Sequence, residues 1–208
     1  MLPRIQPINP SRIAAPFDHD DFVFELKHDG FRAVAYIEDG ACRLISRKQL
    51  QYKSFAGLCS AMAELPVKNA ILDGELVCLD QDGRSQFLQL MRRKGQDVCF
   101  YAFDLLWHDG EDLRSLPLLE RKRKLQRLVK GHAGLLYAEQ IETNGTSLFR
   151  AICDKDLEGI VCKHRLAPYT TTPPLWFKVL NPAYTQKGGR QEMFENFRSK
   201  TEHVAAEI

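Results

Sequence analysis

The run Ile71-Leu72-Asp73-Gly74-Glu75-Leu76-Val77 places two carboxylates inside a stretch that otherwise reads as the interior strand of a sheet. A buried carboxylate is costly unless a cation, a metal or hydrogen-bond donors compensate it. Strand side chains alternate, so Asp73 and Glu75 share one face. The fold must therefore bring compensating charge to that face. Three other apolar segments carry charges in the same manner. Glu25 and Lys27 close the run 22–27, Glu158 and Lys163 bracket Gly159-Ile160-Val161-Cys162, and Lys178 follows Trp176-Phe177. Taken singly, each reads as a structural ion pair. Together they point to one site, with carboxylates for a divalent metal and lysines for phosphate.

The rest of the chain is organised around these segments. Pro3, Pro7, Pro10 and Pro16 make residues 1–20 an extended lead-in. Strand-like runs at 22–27, 31–37 and 42–46 are separated by Asp29-Gly30 and Asp39-Gly40, a spacing that favours antiparallel pairing. The pattern predicts helices over 55–65, 87–93, 115–130 and 146–155, and strands over 70–79, 98–107, 159–163 and 175–179. In the helix 115–130, Ser115 is the expected cap and Pro117 lies in the first turn. Leu118, Leu125 and Leu128 form its apolar side, and Arg121, Lys122, Arg123, Lys124, Arg127 and Lys130 read as a solvated face, with nucleic-acid contact as the second reading. Grouped strands with interspersed helices and no βαβ regularity give the class α+β, with largely antiparallel sheets and flanking helices.

Composition narrows the function classes. Net charge is only +2, so any surface for nucleic acid must be local. None of the six cysteines forms a CxxC pair, and the expectation is buried thiols in a reducing compartment. No stretch approaches the roughly 18 apolar residues of a membrane span, and the expected location is the cytoplasm, with no membrane partner.

Lys27 ends an apolar strand and precedes Asp29-Gly30. An amine projecting from such a strand into a cleft loses solvation, which favours its neutral, nucleophilic form. A surface lysine beside a hairpin turn is the plainer reading of those four residues alone. The wider order of segments decides between them. Lys27-His28-Asp29-Gly30, Ser46-Arg47, Asp73-Gly74-Glu75, Tyr101-Ala102-Phe103-Asp104-Leu105-Leu106, Glu158-Gly159-Ile160-Val161-Cys162-Lys163 and Trp176-Phe177-Lys178 follow one another over nearly the whole chain. In that order they resemble the motifs of the covalent nucleotidyltransferases, the superfamily of DNA ligases, RNA ligases and capping enzymes. Phe24-Glu25-Leu26-Lys27 and Asp29-Gly30-Phe31-Arg32 are most similar to the ligase domain of bacterial end-joining, ATP-dependent DNA ligases.

The resemblance implies the DNA ligase/mRNA capping nucleotidyltransferase fold, with the adenylation domain at 21–182. It implies a covalent lysyl-AMP at Lys27, formed from ATP with Mg²⁺ or Mn²⁺ and passed to a 5′-phosphate of nicked or broken double-stranded DNA. Glu25 would accept a hydrogen bond from the adenine amino group, and Phe103 would stack on adenine. Arg32 and Arg47 would meet ribose or phosphate. Glu75 and Glu158 would hold the metal or the ribose, and Lys163 and Lys178 would neutralise the α-phosphate. Asp29, Gly30 and Asp73 support the motifs. Tyr169 and His164 carry no assignment.

Two departures temper this. Leu180 stands where the family usually has a second lysine, and Lys48 follows Ser46-Arg47 where a small residue is usual. Residues 183–208 are also too few for the OB-fold of full ligases, a barrel of on the order of 70 residues. A separate DNA-binding or OB-fold partner is the corresponding expectation. Two other readings stand beside the DNA ligase core. One is an RNA ligase or capping-type enzyme; the other is a degenerate nucleotide-binding module with no activity of its own.

Overall fold

The computed structural model describes residues 2–92 and 98–186. Among them, two sheets stack face to face, with helices on both outer sides. The first sheet comprises β1 (Ser11–Arg12), β2 (His19–Leu26), β9 (Gln140–Thr143), β10 (Gly159–His164) and β11 (Trp176–Leu180), in the order β1-β11-β10-β2-β9. The second comprises β3 (Phe31–Glu38), β4 (Ala41–Ser46), β5 (Asn69–Cys78), β6 (Val98–His108) and β7 (Glu111–Asp112) in the order β4-β3-β5-β6-β7, with β8 (Leu135–Tyr137) beside β6. Among the described strands, only β1 with β11 and β6 with β8 are parallel pairs. The α+β class with largely antiparallel sheets is thus the observed architecture.

Alternation along the strands builds three apolar layers. Val23 of β2 and Val34, Ile71 and Leu106 of the second sheet meet between the sheets. Phe24, Ile160, Cys162 and Val179 face outward onto Ile152 of α4 (Gly145–Asp154). Ala33, Ala35, Leu72 and Leu105 face the opposite way, onto α1 (Ala56–Ala63) and α3 (Leu118–Val129). The short α2 (Phe87–Arg92) adds Leu90 to that layer; Arg93, the expected end of this helix, lies outside the described residues. The proline-rich lead-in is extended, and it also supplies Ile5 and Ile8 to the layer between the sheets.

Two expectations need correction. The runs containing β2 and β3 do not pair with each other; they belong to different sheets, and Lys27-His28-Asp29-Gly30 is the link between them. That link is no hairpin turn. Gly30 is required by proximity, since a Cβ there would lie 2.2 Å from Leu76 O and 2.9 Å from Glu75 Cγ. The second correction concerns α3. Ser115 does not cap it; Pro117 is the residue before the first turn, and no side chain caps that end. Arg121 and Lys122 are not solvated either, being 0% exposed. Arg121 grips Asp104 through Nε and Nη2, each at 2.8 Å. Arg123, Lys124, Arg127 and Lys130 do face solvent.

Candidate active site

The two sheets part at one end to leave a cleft of ≈ 850 Å³. The first sheet contributes Glu25, Lys163 and Lys178, with Lys27 and Glu158 at the strand ends. The second contributes Arg32, Glu75 and Phe103, and Arg47 follows the end of β4. Every residue expected to touch nucleotide or metal therefore lines one cavity, together with Gly30. Asp29 and Asp73 stand behind it, buried.

Lys27 is held where β2 ends. Its backbone N–H donates to Gly159 O at 2.9 Å, and its Nζ donates to Glu158 Oε2 at 2.5 Å. The amine thus sits beside an anion. Asp29 stiffens the link behind Lys27 by accepting from Tyr184 Oη at 3.2 Å. His28 rests against Tyr101 with ring centroids 3.9 Å apart, and burial followed by the charge of Lys27 pushes its pKa down to about 4.

Glu25 is the floor of the cleft. Its Oε1 accepts from Lys122 Nζ at 2.5 Å and its Oε2 from Lys163 Nζ at 2.6 Å. Burial alone would raise the carboxyl's pKa; the two ammonium groups overcome that and leave it lowered. Lys122 also donates to Ala138 O at 2.8 Å. Lys163 lies 4.4 Å from the centre of the Phe103 ring and 4.1 Å from that of Trp176. Burial, opposed by Glu25, brings the Lys163 pKa down to about 8.

On the facing sheet, Arg32 makes a two-pronged contact with Asp73 at 2.7 and 2.6 Å, and its guanidinium lies 4.4 Å from the Phe103 ring centre. Tyr169 Oη donates to the same Asp73 Oδ2 at 2.6 Å. The carboxylate buried in β5 is therefore fully matched. Glu75 is not so compensated. Burial pushes its pKa up to about 7, with Glu158 and Asp73 adding to the rise against Lys27 and Arg32.

All six motif segments of the chain contribute to this one lining. The model of the ATP dependent DNA ligase domain family matches residues 4–179. The chain belongs to that family. Within it, the chain is 34% identical over 156 residues to the multifunctional non-homologous end joining protein LigD of Pseudomonas aeruginosa, covering 72% of this chain and 19% of that protein. It is 30% identical over 190 residues to the SPbeta prophage-derived DNA ligase-like protein LigB of Bacillus subtilis, covering 88% of this chain and 69% of that one. The ligase domain of LigD from M. tuberculosis superposes with a TM-score of 0.70 at 28% identity, over 84% of this chain and 59% of that chain. A mycobacterial DNA ligase D complexed with ATP and MES gives 0.68 at 29% identity, over 83% of this chain and 58% of that chain. This ligase-family chain thus spans about a fifth of that LigD and under two thirds of the two solved chains.

Sequence reasoning missed Lys122 and Tyr169 as supports of the ligase-family cleft. Lys122 had a signal. Positions 118, 121, 122, 125, 128 and 129 form one stripe at helical spacing, so Arg121 and Lys122 fall within the apolar side of α3. Tyr169 follows β10 and had none.

Proposed function

We propose that this chain is the catalytic core of an ATP-dependent DNA ligase, with residues 21–182 as the adenylation domain. Lys27 Nζ attacks the α-phosphorus of ATP, the bond to the β-phosphate oxygen breaks, and pyrophosphate leaves. The resulting phosphoramidate then yields its AMP to the 5′-phosphate of nicked DNA, which regenerates the free amine. The observation that carries this reading is the convergence of Lys27, Glu75, Glu158, Lys163 and Lys178 on one cleft.

The roles are those the resemblance implies, and the positions of the side chains support them. Attack requires the amine to shed its proton and leave Glu158. Glu25 reads the adenine amino group with a carboxylate oxygen, and Phe103 offers its ring to the base. Arg32 stays on Asp73 and presents its outer edge to ribose or phosphate. Lys163, Lys178 and Arg47 neutralise phosphate charge, which is the main work in phosphoryl transfer. Glu75 and Glu158 suit a hard divalent cation. Burial raises the Glu75 pKa and Glu158 adds a smaller push, and Mg²⁺ commonly takes one or two carboxylates and completes its shell with phosphate oxygens and water. No group of three or more candidate ligands occurs among the described residues, which matches a cation shared with the substrate. Such an ion would polarise the phosphate being attacked. No helix among the described residues is long and apolar enough to cross a membrane, and we place the protein in the cytoplasm.

The test is to incubate the protein with α-labelled ATP and Mg²⁺ or Mn²⁺, beside Lys27→Ala, and to look for label that survives denaturation. Label in the parent and none in the variant is expected. Preferential labelling by GTP would overturn the ligase reading in favour of capping-type chemistry.

A further inference from the structure

The pairing register of the first sheet draws a single row of residues across four strands. Glu25 pairs with Val161, Val161 with Lys178, and Lys178 with Arg12. Residues paired laterally in a sheet project from the same face. Glu25, Val161 and Lys178 all line the cleft, so the row runs along its wall and ends at Arg12, the next residue in register beyond the lining. The pairing is secured by Ile13 N–H donating to Lys178 O at 3.1 Å.

The chemistry of the outer end differs from that of the floor. Burial lowers the Lys178 pKa, and the charges of Lys27, Arg47 and Arg12 add to that against the pull of Glu158. The side chains of Arg12, Arg47 and Lys178 make no hydrogen bond or ion pair with any described residue. Leu180, which also lines the cleft, adds no charge. A fold that brings like charges together with a single carboxylate to offset them loses stability for it, and such a focus of positive potential attracts a polyanion.

We infer that Arg12 is a phosphate-binding residue at the edge of this cleft, extending its cationic lining beyond Lys178. The group it takes is a doubly charged phosphate, supplied either by the polyphosphate tail of the nucleotide or by the 5′-end of a nick. This rests on the ligase reading for the identity of the ligand, not for the existence of the anion site.

The experiment is equilibrium binding, which needs no chemistry at Lys27. Arg12→Gln is compared with the parent and with Arg123→Gln, which removes the same charge from the solvent face of α3. Two probes are used: inorganic tripolyphosphate, and nicked duplex DNA with or without its 5′-phosphate. Losing a charged contact should weaken one of them about tenfold and flatten its salt dependence. Loss confined to tripolyphosphate assigns Arg12 to the nucleotide; loss confined to the 5′-phosphorylated nick assigns it to DNA. Leu180→Lys, placed two residues along the face of Lys178, should restore part of the binding lost in Arg12→Gln. If Arg12→Gln binds both probes as tightly as Arg123→Gln does, the inference is wrong. A protein that never takes label from ATP but still loses phosphate binding in Arg12→Gln would overturn the ligase reading and leave this one standing.

Discussion

Most interior charges of this domain are matched partner for partner, whereas Arg12, Arg47 and Lys178 at the edge of the cleft make no hydrogen bond or ion pair among the described residues, and Glu158 offsets their mutual repulsion at Lys178 only in part. Arg121 with Asp104 and Glu25 with Lys122 and Lys163 are sealed from water at 2.5–2.8 Å. The contrast separates two uses of charge. Sealed pairs fix how α3 sits against both sheets, and they hold Glu25 and Lys163 in place in the cleft lining before any ligand arrives. The open cations stabilise nothing in the free protein, and their value lies in what arrives.

Breaking a sealed pair should have the largest effect. Arg121→Met leaves Asp104 charged and unmatched in the core, at a cost of roughly 3–5 kcal/mol, read as a lowered urea midpoint. Retained stability would show that Asp104 takes up a proton instead. Next comes the cleft edge. Lys178→Ala should slow adenylylation by roughly 10- to 100-fold while the urea midpoint stays level or rises, because a repulsion is removed. A matching fall in stability would erase the distinction between the two regions.

Glu75 lies between these extremes, and pH exposes it. Its folded pKa of about 7 is above its ordinary 4.5. Between those values the folded state holds the proton more firmly than the unfolded chain, so stability falls as pH rises through 4.5 to about 7 and the loss is complete above that. Glu75→Gln should flatten this slope and be the more stable protein, relative to the parent, at pH 8 than at pH 5. In kinetics, kcat/KM for ATP should rise as Glu75 ionises near pH 7 and fall as Lys163 loses its proton near pH 8. A profile flat from pH 6 to 9 would remove both groups from the reaction. The smallest effect belongs to a pair that is neither sealed nor at the cleft edge. Arg114 and Asp112 are 2.6 Å apart but well exposed, and Asp112→Asn should change stability by less than about 0.5 kcal/mol.

Much of this was legible from residue order. The strand segments and most helices fall within a few residues of expectation, because two-residue alternation and proline punctuation are local signals. The cleft residues were legible because charges inside apolar runs need an explanation. Two features were not. The division of β2 and β3 between sheets depends on what each strand packs against, and short spacing favours a hairpin that the layer between the sheets overrides. Arg121 and Lys122 were read by type as solvated, whereas their spacing from Leu118 and Leu125 put them inside; a buried base becomes tolerable only through Asp104 and Glu25, far away in sequence. Residues 187–208 lie outside the described residues.

The link from Lys27 to Gly30 gives the packing between the sheets a chemical voice. Lys27 and Glu158 ride on one sheet, Arg32 and Glu75 on the other, and Val23, Val34 and Ile71 set the gap between them. A methyl group trimmed from that layer would let the jaws shift by a fraction of an ångström. In-line attack tolerates little misalignment, so the clock of AMP transfer would register the loss before a melting curve did. The reaction rate of such a domain is, in effect, a ruler laid across its core.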